Sequence, residues 1–159
     1  MPRELSNTAI LAAQDVESNE AWLVLLEITH SALPEPFYLV NNTETITSNG
    51  IDYLAYPFGM VLGNDTGEKL PTVSLTIDNV DRSLMSAIRS LVDSPDVVIK
   101  VVLSSQPDVV EIAISELKLR EVSYDAFAIS GTLYADDILN QRWPKDQVTV
   151  GAGYYGLFR

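Results

Sequence analysis

The chain has 159 residues, 47% of them hydrophobic, and a mean hydropathy of +0.11, enough for one sizeable core and unlike a disordered segment. Ten Lys and Arg against 22 Asp and Glu leave a net charge of −12, a field that repels phosphate backbones and anionic membrane surfaces. There is no cysteine, which excludes disulfides and thiolate metal sites.

The N-terminus M-P-R-E-L-S-N shows no apolar core behind a basic patch, so no secretory leader is expected. No apolar run approaches the ~18 residues that span a bilayer, so membrane insertion is not expected either. Residues 2–14 predict a helix, with Pro2 in its first turn and Leu5, Ala9, Ala12 and Ala13 on one side. The acidic stretch D-V-E-S-N-E at 15–20 is a turn. Residues 21–29 then carry apolar side chains on both alternating faces, Trp22, Val24, Leu26 and Ile28 against Leu23 and Leu25. A strand of that kind is covered on both sides, which puts it near the centre of a sheet, with the N-terminal helix as a cover for one face.

Leu33-Pro34-Glu35-Pro36 breaks the chain and a new strand begins at Phe37. Ser48-Asn49-Gly50 predicts a hairpin turn that pairs 44–47 with 51–56, and Pro57 closes the second strand. Residues 63–69 form a polar loop. Residues 72–78 alternate without a fault, with Val73, Leu75 and Ile77 on the core face, expected to pack with Leu84 and Ile88. Asn79 and Asp81 are N-cap residues for a helix over 82–92, whose stripe is Leu84, Met85, Ile88, Leu91 and Val92.

Residues 96–103 are Val-rich on both faces, with Lys100 the one charge inside them. Residues 109–123 form a long strand that changes phase. Val110, Ile112 and Ile114 are even, whereas Leu117 and Leu119 are odd, so either a bulge sits at Ser115-Glu116 or the two halves face different partners. Tyr124-Asp125 turns into a strand over 126–134 with Phe127, Ile129 and Leu133 on one face. About eight strands and two helices define a mainly β, α+β domain, an antiparallel sandwich or small barrel with helices packed on it. Residues 1–159 read as one domain, and the aromatic, glycine-rich stretch 151–159 reads as a docking arm.

The residues argue against common catalytic chemistry. His30 is the only histidine, so two-histidine metal sites and mechanisms are excluded within one chain; it is expected to end a strand in a turn. Asp78 with Asp81, and Asp136 with Asp137, are carboxylate pairs of the kind glycosidases use, but helix capping and turn formation account for them more simply. The stretches D-N-V-D and G-N-D-T-G-E lack the full calcium-loop pattern, and 63–69 lacks the G-K-[ST] of a phosphate loop. No cofactor and no metal is expected. Trp143, Tyr154, Tyr155 and Phe158 are interface candidates, with a sugar platform as their alternative use.

The segments W-L-V-L-L-E-I-T-H (22–30), V-N-N-T-E (40–44), L-A-Y-P-F (54–58), P-T-V-S-L-T-I-D-N-V-D-R (71–82) and G-Y-Y-G-L-F (153–158) together resemble the small minor tail proteins of long-tailed bacteriophages, a family of phage domains of unknown function. That family is similar to the first domain of lambda-like tail-tip hub proteins. The resemblance implies a virion protein, made in the host cytoplasm and placed in the tail tip or baseplate. It implies a homo-oligomeric ring, trimer or hexamer, touching tail-tube, tail-tip and central-fibre proteins, through which DNA passes without specific binding. It implies no enzyme and transfers no catalytic residue. A carbohydrate-binding β-sandwich module is the second reading, and a carboxylate-based cell-wall hydrolase the third.

Overall fold

A computed structural model of the chain describes residues 5–15, 17–63, 72–78, 82–125 and 128–135, with the side chains of 82–85 outside the description. Its elements are α1 (Asn7–Gln14), β1 (Trp22–Thr29), β2 (Phe37–Val40), β3 (Ile46–Ser48), β4 (Ile51–Ala55), β5 (Phe58–Leu62), β6 (Thr72–Asp78), α2 (Arg82–Arg89), β7 (Asp96–Leu103), β8 (Gln106–Tyr124) and β9 (Ala128–Ala135). Among the described residues nine strands lie in the order β3-β4-β2-β1-β7-β8-β9-β6-β5. With two short helices beside them, this is a mainly β fold of sandwich- or barrel-like α+β type. All strand pairs are antiparallel except β2 with β4, which run parallel at Leu39↔Leu54 and Val40↔Ala55.

Registered pairs carry one apolar face across the sheet. Leu39 faces Leu26, which faces Ile99; Leu119 faces Leu133, which faces Val73; Ile129 faces Ile77, which faces Phe58. These residues form the principal core, joined by Ile88 of α2. The alternation of β6 predicted this: Val73, Leu75 and Ile77 are buried while Ser74, Thr76 and Asp78 are exposed. Ile88 packs with them as expected; Leu84 lies outside the described residues.

β1 is central and buried on both faces, as its double apolar pattern requires. Its second face is covered by the β3–β4 hairpin. Leu23 and Leu25 of β1 and Val102 of β7 pack there with Tyr53, Ile46 and Ile51. The N-terminal helix is shorter than the pattern suggested within the described chain. Ser6 caps it by accepting from the Ala9 N–H at 3.1 Å, so residue 6 stands outside the helix. Only Ala9 of its predicted stripe is fully buried, and Ala13 is exposed. α1 is tied instead to β8, through Ser6 and Glu111.

One further expectation needs correction. α2 ends at Arg89, not Val92: the Ser90 hydroxyl bonds back to the Ala87 carbonyl, Leu91 stays half-buried and Val92 is 97% exposed. Pro57 closes the second hairpin strand as expected, β4 ending at Ala55, and a strand not anticipated, β5, starts at Phe58 and pairs with β6 from Phe58↔Ile77 to Leu62↔Val73.

The bulge in the long strand is present. Between Ile99↔Ile114 and Val97↔Leu117 the β7–β8 register shifts, and Glu116 takes a φ of +62°. The β7–β8 register also shifts at Val101/Val102 and Val102/Leu103, and the β8–β9 register shifts between Arg120 and Ser123, with Glu121 at φ +53°. Bulges raise the local twist and bend the strand, which lets β8 serve β7 with its first part and β9 with its second.

Candidate functional site

The β3–β4 hairpin sits over the face of β1 and β7 and is fastened at both ends. Its turn is the predicted Asn49-Gly50, with φ values of 50° and 77°, the left-handed pair that a two-residue hairpin loop requires. At this tip Ser48 Oγ donates to the Pro107 carbonyl at 2.7 Å, and the Asn49 N–H donates to Asp108 Oδ1 at 2.6 Å. Asn49 Nδ2 also donates to the Asp108 carbonyl at 3.1 Å. Ser48 is only 2% exposed, so its hydroxyl depends on that partner.

Further along the hairpin Tyr53, 1% exposed, donates its phenol hydrogen to Glu27 Oε1. The same oxygen receives Lys100 Nζ at 2.6 Å. Tyr38 stands edge-on to the Tyr53 ring with centroids 5.5 Å apart. Burial, then the hydrogen bond to Glu27 and its charge, pushes the Tyr53 phenol well above the ordinary tyrosine value. The phenol therefore stays protonated and acts as a donor. Glu27 takes two donors on one oxygen and so fastens β4 and β7 to β1.

Beside this network lies an open groove of about 420 Å³, walled by the Pro34–Phe37 stretch, Tyr38, Asp52 and Leu54. Its lining contains two carboxylates, Glu35 and Asp52, and no cation. Asp52 Oδ1 accepts from Thr47 Oγ1 at 2.6 Å, and Leu54 is 57% exposed. A second cleft of about 290 Å³ separates the end of α2 from β8. There the Arg89 guanidinium stacks over the Tyr124 ring at 3.9 Å, and Asp93, Arg120 and Glu121 mix both signs of charge.

The residues singled out from sequence fall as follows. His30 follows β1, and its Nδ1 accepts the Ala32 N–H at 3.1 Å, so it closes a turn as expected. Asp78 ends β6 and is exposed; Asn79 and Asp81 lie outside the described residues, as do Asp136, Asp137, Trp143, Tyr154, Tyr155, Phe158 and the whole of 151–159. Gly63 donates its N–H to the Thr72 carbonyl at 2.7 Å, at the neck of the loop whose residues 64–71 are not described. Among the described residues no cluster of three or more His, Asp or Glu side chains is placed to hold a metal ion. No described helix is long and apolar enough to cross a membrane.

Glu27, Tyr53 and Lys100 were not singled out as a group from sequence. A signal existed: Glu27 is the one charge of β1 and Lys100 the one charge in the interior of β7, and such charges within apolar runs persist when paired. Ser6 and Glu111 escaped for a similar reason. Glu111 is 7% exposed and takes both the Ser6 N–H at 2.8 Å and the Ser6 hydroxyl at 2.5 Å.

The fold and these contacts define a mainly β α+β domain whose partly buried polar side chains fasten one layer to the next. The chain belongs to the family described as Domain of unknown function (DUF1833), whose model matches residues 9–148. The match includes Glu27, Tyr53, Lys100 and the groove, and leaves out 151–159. No curated protein matches the chain.

Proposed function

We propose that this chain is a structural component of a bacteriophage tail tip or baseplate, one subunit of a homo-oligomeric ring around the DNA channel between tail tube and central fibre. The observation that carries the reading is the pair of sheet edges. Among the described residues β5 pairs with β6 alone and exposes Val61 at 69% and Leu62 at 72%; β3 pairs with β4 alone, and its Ser48 end is fastened to the start of β8. An unpaired edge with apolar side chains is a hazard for a monomer and a natural contact for an assembly. Two different edges on one molecule make a head-to-tail contact, which closes into a ring when the rotation per subunit fits.

Three other features support it. The resemblance carried by 22–30, 40–44, 54–58, 71–82 and 153–158 points to minor tail proteins. The net charge of −12 suits a channel wall on which DNA slides without specific contacts. The Glu27 and Glu111 carboxylates and the His30 ring are all engaged in structural hydrogen bonds, so the reading assigns the chain no catalytic step. In this reading the protein is made in the host cytoplasm and resides in the virion tail.

Immunogold labelling of purified virions with antibody against this chain tests the proposal. Gold at the tail tip is the expected result; particles without label, from a lysate that contains the chain, overturn it.

A further inference from the structure

β5 is a sheet edge without the usual defences. Its residues, F-G-M-V-L at 58–62, carry no charge and no proline, and they pair with β6 one to one from Phe58↔Ile77 to Leu62↔Val73 without a bulge. Edge strands are ordinarily kept apart by charges, prolines, bulges or brevity. The two ends of the ladder fix its hydrogen-bond phase: the Gly63 N–H donates to the Thr72 carbonyl at 2.7 Å, and the Asp78 N–H donates to the Pro57 carbonyl at 3.0 Å. Gly59 and Val61 therefore bond to β6. Phe58, Met60 and Leu62 turn their N–H and C=O groups outward, where no described strand meets them.

The side chains of this edge are complementary to a second copy of the same edge. Phe58, Met60 and Leu62 lie on the face of Ile77, Leu75 and Val73; Phe58 is buried in the core and Leu62 is exposed. On the opposite face Val61 is exposed, and a Cβ added at Gly59 would meet no atom within 4 Å. An antiparallel pairing about a two-fold axis through Met60 lays the exposed Leu62 along Phe58 of the second copy and Val61 over its open Gly59. The outward backbone groups of Phe58, Met60 and Leu62 then bond across the seam, and each contact recurs with the roles exchanged, as a two-fold interface requires. Two chains of net charge −12 also meet here without bringing a charged side chain to the contact.

We infer that two copies of this chain pair through β5 in that register, forming a two-fold dimer whose sheets continue across the seam. The dimer stands on this edge alone and not on the ring. Because β5 also serves the ring, the dimer is the form of the chain before assembly, and one partner on β5 gives way to another as the ring closes.

The chain has no cysteine, so single introduced thiols report the register. In this pairing Gly59 stands opposite Val61 with Cα atoms about 4.5 Å apart, whereas like positions lie on a diagonal of about 8 Å, too long for a disulfide. A mixture of Gly59→Cys and Val61→Cys chains, oxidised gently, is expected to give the linked dimer, and neither variant alone is. Val61→Lys, which buries an unpaired charge only at the seam, is expected to raise the dimer Kd at least about tenfold in sedimentation and to leave the urea midpoint unchanged. Equal cross-linking by either variant alone overturns the register. A dimer that Val61→Lys leaves intact overturns the β5 seam, and a native chain without a dimer up to about 100 μM overturns the pairing itself. The ring is left to the labelling of virions, which none of these outcomes decides.

Discussion

Tyr53 of the β3–β4 hairpin donates its phenol hydrogen to Glu27 of β1, across the boundary between the hairpin layer and the main sheet. Lys100 of β7 reaches the same carboxylate oxygen at 2.6 Å. One hydrogen-bonded oxygen thus ties three strands that are far apart in sequence, and the Tyr53 ring fills the apolar pocket between Leu25, Val40 and Val102. A hydrogen bond to an ionised partner contributes more than one between neutral groups, so this contact and not the surface pair Lys118–Asp96 holds the layer.

Tyr53→Phe keeps the ring and removes the donor. It is expected to cost about 1.5–3 kcal/mol in urea unfolding, the range for a hydrogen bond to a charged acceptor. A loss below about 0.5 kcal/mol means that Lys100 alone satisfies Glu27.

The same phenol makes stability depend on alkaline pH. Its folded-state pKa is raised above the unfolded value of 10.0, so the folded chain holds this proton more tightly than the unfolded chain. The contribution is therefore complete below about pH 10 and is lost as pH rises above it. The difference in urea midpoint between the parent and Tyr53→Phe is expected to stay level to about pH 9 and to shrink beyond about pH 10. Parallel curves up to about pH 11.5 contradict it.

Leu75 is 2% exposed on the core face of β6. Leu75→Ala is expected to cost about 2–5 kcal/mol, measured by chemical denaturation. A cost below about 1 kcal/mol shows that the pocket collapses around the smaller side chain.

Glu116 holds its φ of +62° at the bulge, a region that β-branched side chains avoid. Glu116→Val is expected to be less stable than Glu116→Gly by at least about 1 kcal/mol in thermal or urea unfolding. Equal stabilities mean that the bulge relocates along β8 when the residue changes.

Local patterns along the chain determine much of this domain. The alternation of 72–78 gave the buried face of β6, Asn49-Gly50 gave the hairpin turn, and the parity switch between Ile114 and Leu117 located a bulge. Each rests on a period or a backbone preference that neighbouring residues carry among themselves. The double apolar pattern of β1 likewise required two covers. Which element supplies the second cover was decided only in three dimensions, because the hairpin buries Tyr53 against Leu23, Leu25 and Val102, which are distant in sequence, and the pattern of β1 names no partner. The parallel pairing of β2 with β4, the Tyr53–Glu27–Lys100 bond and the groove beside it arise from that choice. Long-range contact is set by how whole faces fit once packed, and apolar burial has no direction that a single strand could encode.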